Sequence, residues 1–268
     1  MSPPGRPKGE YRSAKHEGSP VSPPGRPKGE YRSTKHEGSP VSTNIAGLAR
    51  LLQLASPTLP IGAYSYSQGL EWAVEARIVH DAATAGEWIG DLLDLSMATG
   101  EAAVLARLID AQGRGDATVF TSWNAWFRAS REARELRAET EQMGASLASL
   151  ARDLQWLDAS AVELAARCAP ITLPAAFALA ARRVDLPADA VIAGYLWSWL
   201  DNQVLTAIKT IPLGQVAGQR LQAQLADRIA PAVLRAQHIA DDDIASFTPG
   251  QALASAHHET QYSRLFRS

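Results

Sequence analysis

Three stretches of the chain hold more recognition chemistry than a bundle of helices requires. The first is Leu59-Pro60-Ile61-Gly62-Ala63-Tyr64-Ser65-Tyr66-Ser67-Gln68-Gly69-Leu70-Glu71, which puts Tyr64, Tyr66, Gln68 and Glu71 on a loop that enters a helix. Tyrosine offers a large rigid face and a hydroxyl, the combination that anchors protein interfaces. The same residues also read as a helix N-terminus, capped by Ser65 or Ser67, with half-buried tyrosines. The second stretch is Arg131-Glu132-Ala133-Arg134-Glu135-Leu136-Arg137-Ala138-Glu139-Thr140-Glu141. Its spacing pairs Arg131 with Glu135 and Arg137 with Glu141 along one helix, each pair worth about 0.2–0.5 kcal/mol on a wet surface. It reads as a solvated face or as a charged contact surface carrying Arg134, Glu135, Arg137 and Glu139. The third is the tail, His257-His258-Glu259-Thr260-Gln261-Tyr262-Ser263-Arg264-Leu265-Phe266-Arg267-Ser268. Chain ends tend to turn polar and fray, whereas this one keeps apolar and arginine anchors, a composition suited to folding on a partner. It is expected to be loose in the free chain, the alternative being a final helix docked on the body.

Reaction chemistry is harder to find. The sequence has no glycine-rich phosphate loop, paired-cysteine metal site, His-Glu-x-x-His or nucleophile elbow, so neither catalytic nor cofactor-binding residues are assigned. The single cysteine, Cys168, sits among alanines and reads as a small core residue; one cysteine allows no internal disulfide. His257 and His258 are adjacent, and neighbours on a helix point about 100° apart, so the pair does not converge on one metal ion. Lys209 follows a very apolar run and precedes Pro212, which makes it either a neutraliser of a helix C-terminus or a partner contact.

The elements that must carry these residues follow from periodicity. Asn44 caps a helix with Ile45, Leu48, Leu51 and Leu52 on one face, and a helix runs from Gln68 to Ala76. Asp81 or Thr84 caps the next, bearing Trp88, Ile89, Leu92, Leu93 and Leu95. Val104, Leu105, Leu108 and Ile109 repeat the period through Glu101 to Ala111, and Phe120, Trp123 and Phe127 mark another stripe. Leu136, Met143, Leu147, Leu150 and Leu154 form the seam of a long helix. Pro174 and Pro187 sit as first-turn prolines, the second opening an almost wholly apolar and therefore central helix to Ile211. A further helix is expected from Gln215 to about Gln237. No alternating β-branched run appears, so the chain is expected to be all-α, a single-domain helical bundle over residues 42–268.

Residues 1–41 are a different kind of sequence. Ser2–Val21 recurs as Ser22–Val41 with one change, Ala14 for Thr34, and the segment holds half of the chain's 16 prolines and almost no large aliphatics. Such a segment cannot bury enough apolar surface to offset its ordering entropy, so a disordered basic arm is expected. The arm is +4, which leaves 18 basic against 24 acidic residues in the rest and argues against a nucleic-acid partner. The start lacks the apolar core of a secretion signal, and the longest apolar stretch, Ala190–Leu200, is short of the about 20 residues a membrane span needs. A cytoplasmic protein with no membrane contact is expected.

Taken in order, LPIGAYSYSQGLEWAVEA, REARELRAE, AIKTIPLGQ and HHETQYSRLFRS resemble the bacterial urease accessory protein family UreF over about residues 44–268. The duplicated arm is foreign to that pattern, and Thr210 stands where a larger aliphatic is usual. The resemblance implies an all-helical homodimer that binds the accessory protein UreD and recruits the GTPase UreG, so that nickel reaches the urease apoprotein. It marks Tyr64, Tyr66, Gln68, Glu71, Arg134, Glu135, Arg137, Glu139, Lys209, His258, Glu259, Tyr262 and Arg264 as partner-binding residues of a non-catalytic adaptor. Two other classes stay open: a GTPase-activating protein that presents Arg134 or Arg137 to UreG, and a nickel carrier using His257 and His258.

Overall fold

Short polar side chains begin the helices where the sequence places them. In the computed structural model, which describes residues 44–245 and 248–267, Asn44 accepts the Gly47 amide at 2.8 Å and opens α1 (Ile45–Leu54). Asp81 and Thr84 cap one another at the start of α3 (Ala82–Leu92), and the Thr84 amide and hydroxyl hold the Asp81 carboxyl below its ordinary range. Asp116 opens α5 (Ala117–Ser130) and Asp158 opens α7 (Ala159–Arg167) in the same way. Between them lie α2 (Leu70–Glu75), α4 (Ala102–Gly113) and α6 (Arg134–Asp153). The chain continues through α8 (Leu173–Ala181), α9 (Ala188–Thr210), α10 (Gln215–Ala226), α11 (Ile229–His238) and α12 (Pro249–His258). A π-helical stretch, Leu93–Glu101, joins α3 to α4 without a break. The fold is all-α, with no strand among the described residues. The duplicated arm, expected to be disordered, lies outside the described residues.

The apolar helix foreseen in the sequence is the centre of the molecule. α9 touches α1, α2, α3, α4, α10 and α11, and its Ile192, Leu196, Leu200 and Ala207 are fully enclosed. Burying each large aliphatic contributes about 1.5–3 kcal/mol, so the six-sided packing of one helix accounts for much of the core. Among the described residues no helix is long and apolar enough to cross a membrane. Cys168 is buried in this core as expected, and burial pushes its thiol up to about 11.

Three expectations need correction. The helix foreseen from Gln215 to Gln237 is broken after Ala226, because Pro231 has no amide to donate and its ring collides with the carbonyl four residues back. On α1 the side turned inward carries Gly47, Leu51 and Leu54, while Ile45, Leu48 and Leu52 remain exposed at 68%, 39% and 63%. The reason is close approach: a Cβ on Gly47 would lie 2.4 Å from the Val184 carbonyl, so the glycine faces the body. Finally, neither Ser65 nor Ser67 caps α2. Its N-cap is Gly69 at φ 85°, after Gln68 at φ 53°, and a Cβ on Gly69 would meet the Ala254 side chain at 2.9 Å. The left-handed glycine lets α12 pack directly on the start of α2.

α6 lies against α8 with equal intimacy, since a Cβ on Gly144 would sit 2.4 Å from the Ile171 carbonyl. Asn124 of α5 fixes the segment beneath it: its amide nitrogen donates to the carbonyls of Cys168 and Pro170, and its oxygen accepts the Thr172 amide at 2.9 Å. Gly144→Ala is therefore expected to destabilise the body by about 1–3 kcal/mol through overpacking. Thermal unfolding followed by circular dichroism checks this, and an unchanged midpoint would mean that the two helices are not so close.

Candidate functional site

A carboxylate on α2 holds the end of the chain. Glu71, only 7% exposed, accepts the backbone amides of Leu265 at 2.6 Å and Phe266 at 3.1 Å. The same carboxylate faces Nε2 of His258 at 2.9 Å, and Nδ1 of that ring faces Glu135 of α6 at 2.9 Å. Glu135 also accepts from Arg264 at 2.9 Å. Three sequence-distant motifs thus close one ring of charge around His258, which is wholly buried. Each nitrogen of the imidazole thus has a carboxyl oxygen within hydrogen-bond distance. The cluster sets an imidazole and a guanidinium against two carboxylates. Hydrogen bonds to charged groups contribute about 1.5–3 kcal/mol each, so the cluster is strong enough to hold a chain end.

The tail is consequently neither loose nor a helix, which corrects both readings made from its sequence. α12 ends at His258, and the following residues run without helical structure across the body. The Arg267 amide donates to the Ser65 carbonyl at 2.7 Å, and Phe266 is buried with Lys209 Nζ 5.5 Å from its ring centroid. Composition argued for mobility because it shows anchors but not their acceptors; Glu71 lies 194 residues away from Leu265 in sequence.

The charged helix behaves differently from the spacing rule as well. Arg131 lies in extended backbone before α6 begins, so it cannot pair with Glu135 along one face. It turns inward instead, to Glu101, with its guanidinium carbon 4.3 Å from the centre of the Phe127 ring. Burial lowers its guanidinium from the ordinary value, and the negative charge of Glu139 opposes that. Glu141 pairs with Arg128 at 2.6 Å, not with Arg137, which is half-buried. Arg134 reaches Glu259 at 3.3 Å on the surface.

The tyrosines split. The Tyr66 ring is buried, its hydroxyl donates to Gln142 at 2.8 Å, and desolvation raises it above its ordinary value. Tyr64 is 61% exposed. Gln68 accepts from the Trp199 indole and donates to Glu139, both at 2.8 Å. Beside them a cavity of about 50 Å³ is lined by Gln68, Glu139, Glu101, Arg131 and Tyr195. The Glu101, Arg131 and Tyr195 group escaped the sequence reading. Its signals were a lone glutamate in the mainly apolar run Ala98 to Leu105 and a tyrosine in the central helix α9. His257 stacks on Trp72 at 4.7 Å, away from His258, and no group of three or more His, Cys, Asp or Glu placed to hold a metal occurs among the described residues.

Fold and cluster together define an all-helical protein whose tyrosines, charged helix and chain end meet in one place. The chain belongs to the UreF family of urease accessory proteins, matching that family over residues 79–226. It is 51% identical over 234 residues to the urease accessory protein UreF of Azoarcus sp. (strain BH72), covering 85% of this chain and 100% of that protein. The urease accessory protein UreF of Dechloromonas aromatica (strain RCB) is 50% identical over 222 residues, 82% of this chain and 97% of the relative. The bifunctional urease accessory protein UreEF of Bordetella bronchiseptica is 50% identical over 231 residues, 85% of this chain but 53% of that longer protein.

The geometry makes Glu71 the residue on which the tail depends. Glu71→Ala should leave the helical content unchanged while the Leu265 and Phe266 amides lose their protection in hydrogen exchange. Equal protection in wild type and variant would show that the tail is held by other means.

Proposed function

We propose that the chain is a non-catalytic adaptor of urease maturation, cytoplasmic and homodimeric, which binds UreD and recruits the GTPase UreG so that nickel, as cargo, reaches the urease apoprotein. The observation that carries this reading is the combination of a docked tail with unused anchors on it: Tyr262 is fully exposed and Leu265 is 75% exposed, while Tyr64 beside the tail's contact with Ser65 is 61% exposed. Large apolar side chains held out on an ordered backbone lose little further entropy when a partner covers them. The residues marked by the family motifs then divide by task. Glu71, Glu135, His258 and Arg264 fix the platform, Tyr66, Gln68 and Glu139 support it from inside, and Tyr64, Tyr262, Arg134, Arg137, Glu259 and Lys209 meet the partners. The exposed Ile45, Leu48 and Leu52 on α1 are consistent with self-association. The name of the fused Bordetella relative joins two urease accessory proteins in one chain, which supports work within an assembly. The helical domain from residue 42 onward carries this activity.

Co-purification of the tagged chain with UreD and UreG, with the mass of the complex measured by light scattering, tests partners and dimer together. Tyr262→Ala with Leu265→Ala should lower partner capture at least about tenfold, the loss of roughly 1.4 kcal/mol or more, with the unfolding midpoint of the isolated chain unchanged. Full capture by this variant would remove the platform from the interface.

One observation favours a second reading, that of a GTPase-activating protein. The Arg134 side chain is 77% exposed, and its surface pair with Glu259 is cheap to break, about 0.2–1 kcal/mol. An arginine finger is worth about 10³–10⁵ in rate. Single-turnover GTP hydrolysis by UreG in the assembled complex decides between them. The adaptor predicts that Arg134→Ala and Arg137→Ala change the rate by less than about tenfold; a loss beyond about a hundredfold with the complex intact identifies a finger.

A further inference from the structure

At the far end of α6 from the tail, an open groove is lined by Trp156, Leu157, Asp158, Leu179, Arg182 and Arg183. Glu135 and Leu154 are separated by nearly the whole of α6, about 28 Å at the helical rise, so this groove is separate from the tail cluster. Its charge is unusual for a body in which acidic residues outnumber basic ones. The Arg183 guanidinium carbon lies over the Trp156 indole, 4.3 Å from the ring centroid. Arg50 of α1 donates to the Arg183 carbonyl at 2.9 Å, bringing a second guanidinium to the same rim. Burial first and the Arg50 charge second hold Arg183 below its ordinary value.

Neither arginine pairs with a carboxylate among the described residues. The nearby acids are committed elsewhere: Asp158 caps α7 and binds Arg182 at 3.0 Å, and the Asp185 carboxylate accepts from Asn44 at 2.9 Å. Two like charges held together without a counter-charge are destabilising, and an arriving anion relieves this. A guanidinium seated over an indole and without a carboxylate partner still has its N–H fork to offer, and that fork can receive a carboxylate on two parallel bonds. In the same groove Leu157, Ala161 and Leu179 supply an apolar wall.

We propose that this groove docks an acidic peptide segment of a partner protein, one carboxylate seating between Arg50 and Arg183 and a neighbouring apolar side chain lying on Leu157 and Leu179. A peptide carboxylate suits the site better than a free phosphate, since Leu157, Ala161 and Leu179 offer an apolar wall that only a neighbouring side chain can use. The chain's own duplicated arm, +4 in net charge, has the wrong sign to be the occupant. The role of the surface is a second anchorage, on the side of the molecule that the tail does not reach.

The test is fluorescence anisotropy of the full chain with a labelled peptide of alternating glutamate and leucine, against a control peptide of alternating glutamine and leucine. The glutamate peptide should bind saturably and the glutamine peptide at least about tenfold more weakly. Arg50→Gln with Arg183→Gln should cost at least about tenfold in affinity for the glutamate peptide and nothing for the control. Should the double variant unfold, Arg50→Gln alone, at an exposed position, should still weaken the glutamate peptide several-fold. Absence of saturable binding, equal binding of the two peptides, or equal binding by wild type and variants would overturn the proposal. Displacement by inorganic phosphate, where sodium chloride of equal ionic strength has no effect, would overturn it in favour of a phosphate ligand.

Discussion

Glu71 offers two oxygens to three groups, and the docking of the chain end on α2 hangs on that carboxylate. Its Oε1 takes the Leu265 amide, and its Oε2 is shared by the Phe266 amide and the His258 ring. A carboxylate removed from water is costly unless its lone pairs are filled, and here the tail fills them. The dependence is mutual. Without the tail Glu71 would face a buried imidazole alone, and without Glu71 the two amides of an irregular chain end would have no acceptor. A chain end with no regular structure of its own is therefore held against the body by named hydrogen bonds.

The same logic runs inward from the tail. Arg131, Glu101 and Tyr195 form a second buried polar group, reached through Glu139 and Gln68 and closed by Trp199. Buried ion pairs contribute little net stability against apolar replacements, but breaking one strands a charge. Their value here is positional. Arg131 pins the turn between α5 and α6, and that turn sets the first helical residues of α6, among them Glu135. The two polar groups join α2, the π-helical stretch before α4, α6, α9 and α12, and so hold the relative placement of those helices constant.

Much of the fold could be read directly. Caps at Asn44 and Asp81, the central helix from Ala188 and the all-helical class follow from local rules, because each depends on groups within a turn or two of one another. The break before α11 has a local cause in Pro231, but on α1 and at Arg131 a distant group intervened. The exposed stripe of α1 is as regular as the buried one, and only the approach of Val184 to Gly47 chooses between them. The i,i+4 pairing of Arg131 with Glu135 was sound arithmetic applied across a helix boundary that the extended backbone at Arg131 moves.

Of the functional region, the sequence by itself determined the membership: tyrosines on a broken loop, an alternating charged helix, a lysine before a proline and an anchor-rich tail, in an order specific enough to mark the family. The tertiary structure decided what those residues do for one another. It turned Tyr66 inward and left Tyr64 outside, took Arg131 from its expected partner, and converted a tail that composition describes as mobile into a docked strap. The physical reason is that the partners concerned lie 30, 76 and 194 residues apart, Arg131 with Glu101, Tyr66 with Gln142 and Leu265 with Glu71, and hydrogen-bond complementarity at such separations has no periodic signature along the chain.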